Sequence, residues 1–301
     1  MHNILITGGT SPTGVALISW LKKKRPGSKI IVLGRKSKRL ISLSCLSNVH
    51  TVPLDLGETE QKFNTSLGEL DLPDIDEFYH LATTSPSTAE DNSQFYQVNF
   101  LNSSSLVKSI RLSEKARFLN FSSASVYDQN TETFTETSKK TFQDHYGVSK
   151  WLFESFLQNL ASISTNDEQF LSVRAPVLLA PGALHNFLSK WKKDMQIGQP
   201  VTLFNPNNNF NSCIWLENLL EFSEKFFAQN ETNHLICNVG SKDPITIRAA
   251  HDILATHFDG TKLPNVLVSE KRSQFYDCNL AVSFGFTPLS VERSIRMFAQ
   301  C

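Results

Sequence analysis

Tyr146 and Lys150 stand four residues apart in Tyr146-Gly147-Val148-Ser149-Lys150. On a helix that spacing puts both on one face, so an ammonium can approach a phenol and a ribose bound beside it. A phenol with a reference pKa near ~10 is a poor base at neutral pH. A nearby cation favours the phenolate, and the same phenol donates a proton when a ketone is reduced. Helical Tyr/Lys pairs are common, so the pair needs a further group to make a site. Ser122-Ser123-Ala124-Ser125-Val126-Tyr127 supplies it. Ser123 is placed to bind a substrate oxygen near Tyr146, Ser122 and Ser125 read as structural hydroxyls, and Tyr127 serves packing or substrate.

A second constellation lies near the N-terminus. Gly8-Gly9-Thr10-Ser11-Pro12-Thr13-Gly14 joins a short apolar strand to a helix. Gly8 and Gly14 keep side chains away from a closely approaching backbone, and the N–H groups of the helix terminus can face a pyrophosphate. Ser11 occupies the place where the dinucleotide fingerprint has its middle glycine. After the second strand, Leu33-Gly34-Arg35-Lys36-Ser37-Lys38-Arg39 carries no acidic residue for the ribose hydroxyls of NAD. Arg35 can pair with a ribose 2′-phosphate or stack on adenine. A basic, solvated loop is the plain alternative. The expectation is NADP, with NAD second. Asp55-Leu56, after the third strand, offers a carboxylate to the adenine amino group or simply forms a turn.

These groups need a scaffold, and the order of elements provides one. Strands are expected at 4–7, 29–33, 49–52, 77–81, 117–121, 170–174 and 235–239. Helices are expected at 15–24, 92–112, 144–160, 216–227 and 247–257. Such alternation predicts an α/β fold, a Rossmann-type doubly wound parallel sheet with a smaller, discontinuous substrate domain. The dinucleotide-binding domain is placed at 1–175 plus about 234–257, and the substrate domain at about 176–233 and 258–301. Between Pro176 and the run Asn207-Asn208-Asn209, prolines and glycines suggest loops near a cleft.

Composition narrows the function classes. The 301 residues carry 29 Lys and Arg against 29 Asp and Glu, so nothing in bulk charge points to nucleic acid or an acidic membrane. The five cysteines are scattered without metal or redox spacing, and no apolar run approaches the ~20 residues of a spanning helix. The reading is a cytoplasmic protein with no nucleic-acid partner, no membrane partner and no metal. His80 and His145 read as structural, and His251 and His257, six apart, lack the spacing of a helical metal pair.

The ordered set Thr7–Gly14, His80-Leu81-Ala82, Asn99, Ser122-Ser123, Tyr146–Lys150 and Arg174-Ala175-Pro176 resembles the extended short-chain dehydrogenase/reductase family, and more narrowly its NAD-dependent epimerase/dehydratase branch. The likeness runs over nearly the whole chain, through Pro181-Gly182, Cys213–Leu216 and Asn238–Ser241. It implies Ser123, Tyr146 and Lys150 as the catalytic set. It also implies Asn99 as a support on the long helix, Ala82 and Thr83 in a stretch passing the cofactor, and Ala175-Pro176-Val177 passing the nicotinamide. With Gly8, Thr10, Ser11, Pro12, Thr13, Gly14, Arg35, Asp55 and Leu56 these form the expected cofactor set. A homodimer packed through two helices per subunit is often found in the family. Ser11, Asp128 and Asn218 depart from the family pattern, and Ala124-Ser125 replaces the acidic residue that dehydratases carry there, so elimination of water is disfavoured.

The resemblance points to a nucleotide-linked sugar as substrate. Hydride transfer at a carbinol carbon, with Tyr146 moving the hydroxyl proton, serves both keto-sugar reduction and epimerisation. Arg35 tilts the expectation toward an NADP-linked reductase. Epimerisation is the alternative, and a non-catalytic NADP-binding sensor is the reading from another class.

Overall fold

Ile4, Leu5 and Ile6 have no exposed surface, as expected of a parallel strand covered on both faces. They form β1 (Asn3–Thr7), which opens the computed structural model; it describes residues 1–301 except 185, 230, 261, 271 and 272. The chain continues through α1 (Pro12–Lys24), β2 (Lys29–Gly34), α2 (Lys38–Ser44), β3 (Val49–Pro53), α3 (Glu60–Gly68) and β4 (Ile75–His80). A long helical segment follows as α4 (Ser93–Tyr96), a π-helical turn (Gln97–Asn102) and α5 (Ser103–Ser109). Next come β5 (Leu112–Ser123), β6 (Thr133–Phe134), α6 (His145–Ile163), β7 (Gln169–Ala175), β8 (Val177–Leu179) and α7 (Phe187–Gln196). The last part holds β9 (Thr202–Phe204), β10 (Asn209–Phe210), β11 (Cys213–Trp215), α8 (Leu216–Gln229), β12 (His234–Asn238), β13 (Ile245–Thr246) and α9 (Ile247–Ala255). It ends with β14 (Asn265–Leu267), β15 (Phe275–Tyr276), α10 (Asn279–Ser283) and α11 (Val291–Ala299).

Two compact units result. The first spans 1–128, 139–174 and 227–237. It is built on a seven-stranded sheet of order β12-β7-β5-β4-β1-β2-β3, in which β1 pairs in parallel with β2 and β4, β2 with β3, and β4 with β5. This is the Rossmann-type arrangement. Its order reverses between β1 and β4, which leaves a crevice beyond their carboxyl ends. Leu5, Ile31, Phe63, Phe78, Phe118, Phe153 and Phe170 form the core under this sheet.

The second unit spans 129–138, 175–226 and 238–301 and carries the small two-stranded sheets β11-β8, β14-β9, β10-β13 and β15-β6. Helix α9, which the sequence reading placed with the dinucleotide domain, belongs here; it packs with α11 and α7. Helix α7 lies in the stretch expected to be irregular, with Leu188, Trp191 and Met195 buried at helical spacing. Among the described residues no helix is long and apolar enough to cross a membrane.

Two departures bear on the site. The helix expected over 92–112 is interrupted by the π turn, where Ser103 Oγ donates to the Val98 carbonyl at 2.7 Å. Strand β5 begins at Leu112, opposite Ile75, rather than at Arg117. The register with β4 shifts between the Ile75–Leu112 and Glu77–Arg117 pairs, so the polar run Ser113-Glu114-Lys115 enters the strand as an irregularity of the ladder.

Candidate active site

The first wall of the crevice is the turn after β1. Gly8 adopts a φ of +72°, and a Cβ there would lie 2.7 Å from the Ala82 nitrogen, so the turns after β1 and β4 touch through bare backbone. A Cβ on Gly14 would meet the Gly8 carbonyl oxygen at 2.4 Å, which seats the first turn of α1 directly on the strand exit. Ser11 caps that helix: its hydroxyl accepts the Gly14 N–H at 3.0 Å and donates to the Gly8 carbonyl at 2.8 Å. The proton the sequence reading offered to a phosphate is therefore committed within the turn. Pro12 takes the first helical position, Thr13 follows, and no acidic residue occupies the first turn. Thr10 is partly buried beside Gly9. A glycine turn, a helix N-terminus facing the strand exit and the absence of carboxylates in its first turn fit a dinucleotide pyrophosphate.

Beyond β2, Arg35 is exposed, and Ser37 caps α2 by accepting the Leu40 N–H at 3.2 Å. Beyond β3, Asp55 Oδ1 accepts the Gly57 N–H at 2.8 Å, the turn-forming role weighed from sequence. The carbonyls of the buried Leu56 and of Glu58 both accept from Asn102 Nδ2 at 2.9 Å. Sequence reasoning missed this clamp; the signal was a polar residue inside an apolar helical stripe.

Beyond β4, Thr7 Oγ1 is hydrogen-bonded to His80 Nδ1 at 2.8 Å and accepts the Ala82 N–H at 3.3 Å. His80 is packed among Phe78, Phe118 and Phe153; burial pushes its pKa down to about 3, helped by the Lys150 charge. Asn99, in the π turn, is 1% exposed. Its Oδ1 accepts from Thr84 N at 2.8 Å and Thr83 Oγ1 at 3.0 Å, while Nδ2 donates to the Thr84 carbonyl and to Ser149 Oγ, both at 3.0 Å.

Ser123 and Tyr146 come from the end of β5 and the start of α6. A Cβ on Gly147 would lie 2.0 Å from the Ser125 carbonyl oxygen, so the helix meets the turn after β5 at a distance only glycine permits. Tyr146 is partly buried. Burial raises its pKa, side-chain hydrogen bonds with Ser123 and Thr83 oppose that rise, and the Asp144 charge reinforces it. Lys150, one turn on, is 3% exposed. Burial depresses its pKa to about 8 against the support of Glu154. Among the described residues its ammonium has no hydrogen-bonded or ion-paired partner, so it fits a ribose hydroxyl brought by the cofactor.

Glu154 lies a further turn along α6 with no exposed surface. It accepts from Ser122 Oγ at 2.5 Å and from Arg174 Nε at 3.0 Å and Nη2 at 2.7 Å, and Arg174 Nη1 donates to the Tyr127 hydroxyl at 2.9 Å. Tyr127 and Ser122 are thereby parts of a buried network beneath the site, and Tyr127 is fully buried. The structure thus gathers Gly8, Ser11, Gly14, Ala82, Thr83, Asn99, Ser123, Tyr146 and Lys150 around the β1/β4 and β5/α6 ends. Pro176 belongs to the second unit.

Comparison with known proteins adds the context. The family model described as NAD dependent epimerase/dehydratase family matches residues 4–240. The fold is similar to that of the UDP-glucuronic acid 4-epimerase of Bacillus cereus in complex with NAD, with a TM-score of 0.77 and 18% identity over 99% of this chain and 97% of that one. The ADP-L-glycero-D-manno-heptose-6-epimerase of Helicobacter pylori gives a TM-score of 0.79 and 20% identity over 99% and 95% of the two chains. WbmG of Bordetella bronchiseptica in complex with NAD gives 0.76 and 18% over 100% and 94%. No curated protein matches the chain. The expectation of NADP is corrected by these findings: the family is described as NAD dependent, and the complexes with a named dinucleotide hold NAD. An exposed arginine after β2 can lie against an adenine ring without any phosphate to pair with, so Arg35 does not select the phosphorylated cofactor. The tilt toward net reduction rested on that residue.

Proposed function

The chain belongs to the NAD dependent epimerase/dehydratase family, and from that premise we propose that this enzyme epimerises a carbinol centre of a nucleotide-linked sugar with tightly held NAD. The observation that carries the reading is the placement of Ser123 at the end of β5 and of Tyr146 and Lys150 one turn apart at the start of α6, where Gly147 meets the Ser125 carbonyl, with no hydrogen-bonded or ion-paired partner for the Lys150 ammonium among the described residues. The solved proteins of similar fold support the substrate class, since those with a named reaction are epimerases of sugar nucleotides.

When bound, NAD would supply the hydride acceptor and donor for the carbinol carbon. Tyr146 takes the proton from the sugar hydroxyl during oxidation and gives one back when the transient ketone is reduced on its other face. Ser123 holds the reacting oxygen against Tyr146, which fixes the geometry in which proton and hydride move. Lys150 binds the cofactor ribose and places a positive charge near the phenol. The hydroxyl of Ser11 and the backbone of Gly8 and Gly14 shape the pyrophosphate turn, and Asn99 fixes the loop at Thr83.

The test is to incubate the protein with UDP- and ADP-linked hexoses and heptoses while following product by mass and chromatography and the cofactor by its absorbance. Epimer formation without net change in NADH supports the reading. Stoichiometric loss of added reduced cofactor on 4-keto sugars selects a net reductase instead.

A further inference from the structure

Beside the register shift between β4 and β5, the first unit carries a solvent-open hollow of about 470 Å³ at the amino ends of these strands. The glycine turn lies past the other end of the sheet, after β1. The two carboxylates of the hollow are already engaged by the protein. Glu77, 2% exposed, is hydrogen-bonded to His2 Nε2 at 2.9 Å, Arg25 Nε at 3.2 Å and the Tyr79 hydroxyl at 2.8 Å. Asp76 Oδ2 accepts the Asn3 N–H at 2.8 Å and stands 3.6 Å from His2 Nδ1.

The groups on the β5 side are not so engaged. Ser113, Lys115 and Arg117 are alternate residues of one strand and all line the hollow, as side chains on one face do. Lys115 is exposed and Arg117 half-buried, and among the described residues neither has a carboxylate or hydrogen-bond partner. The Arg117 guanidinium lies over the Phe227 ring at 6.0 Å, a contact that steadies its plane and leaves its N–H edge for another group. Ser28, 5% exposed, also lines the hollow, and its hydroxyl has no partner among the described residues. A buried hydroxyl without a partner is a donor awaiting an acceptor.

We propose that this hollow binds a phosphoryl group, brought by inorganic phosphate or by a small phosphate monoester. The guanidinium offers a fork and the ammonium a point charge, the pair of cations that phosphoryl oxygens take. The hydroxyls of Ser28 and Ser113 donate to the oxygens that remain. A planar carboxylate, with two oxygens, leaves part of this donor set unmet. The inference does not depend on the reaction proposed above.

The experiment is a calorimetric titration of the full-length native protein in the presence of NAD, so that the glycine turn does not compete for the probe. Inorganic phosphate, glycerol 3-phosphate and citrate are the probes, at constant ionic strength. One or both phosphoryl probes should bind saturably, and the tighter of the two identifies whether the group arrives free or as an ester. Lys115→Gln and Arg117→Lys should each raise the Kd about tenfold or more, with NAD affinity unchanged. Lys115 is exposed, so its replacement leaves the core intact. No saturable binding of phosphoryl probes at millimolar concentration overturns the inference and leaves these cations as partners of the helix C-termini at that end of the sheet. Binding that Lys115→Gln leaves undiminished, or citrate held as tightly as phosphate, overturns it equally.

Discussion

Glu154 stands one helical turn beyond Lys150 on α6, and its carboxylate is already engaged by Arg174 at 2.7 Å and Ser122 at 2.5 Å. It therefore supports the lysine only through space. The same carboxylate holds the buried guanidinium, raising the arginine's pKa further above its usual value. One acidic side chain serves both the framework and the site above it.

Glu154→Gln should cost about 3–5 kcal/mol of stability, because it leaves the Arg174 charge buried without its counterion. Chemical denaturation measures this directly. The same change should push the Lys150 pKa below its native value, since a supporting charge is gone. A variant as stable as the native protein would show that the ion pair is dispensable.

Lys150→Met should abolish turnover yet leave a protein more stable than the native one at pH 7, by roughly 3 kcal/mol at most. The sign follows from the depressed pKa of about 8 against 10.5 for the free group. Below pH 8 both folded and unfolded chains carry the ammonium, so the native state bears the whole burial penalty. Between pH 8 and 10.5 only the unfolded chain holds that proton, native stability rises, and the advantage of methionine fades. A Met variant less stable than native at pH 7 would mean that the ammonium has a partner in the protein.

His80 should make the protein acid-sensitive. Its pKa of about 3 in the fold lies far below the ordinary 6.5, so above pH 6.5 both states are neutral and nothing is lost. As pH falls below 6.5 only the unfolded chain takes the proton, and stability drops by about 1.4 kcal/mol per pH unit. The stability gap between native protein and His80→Leu should shrink by about 2 kcal/mol from pH 7 to pH 5 in urea unfolding. A gap that does not change with pH would contradict the buried neutral imidazole.

Gly147→Ala places a methyl 2.0 Å from the Ser125 carbonyl oxygen, and backbone cannot yield as a side-chain tip can. The helix start and the turn after β5 must separate, carrying Tyr146 away from Ser123. Displacement on the order of an ångström costs about 100-fold in rate, read as a fall in turnover with NAD binding largely kept. Native-like turnover would show that the approach can relax.

Tyr146→Phe should lower turnover by about 100- to 10,000-fold, the span of general acid–base catalysis. Phenylalanine keeps the edge contact with the Phe95 ring at 5.9 Å, so folding and NAD affinity should change little. Equilibrium binding of NAD and single-turnover kinetics separate the two effects.

The sequence by itself determined what is local. The apolar run Ile4–Ile6, the glycine turn, the basic end of α1 and the four-residue step from Tyr146 to Lys150 each follow from neighbours in the chain, and they are enough to order the strands and name the family likeness. Where a local preference met a distant partner it gave way: β5 extends back to Leu112, which pairs with Ile75 of β4, and the helix over Ser93–Ser109 widens into a π turn whose Asn99 and Asn102 hold two separate loops. The tertiary structure alone decided that Gly147 touches Ser125 and that Glu154 is shared by Arg174 and Ser122. Those contacts join residues 20 to 32 positions apart, and no periodicity encodes them. They are set by how the sheet brings strand ends together, and burial there turns ordinary hydroxyls, an amide and a carboxylate into groups whose every partner matters.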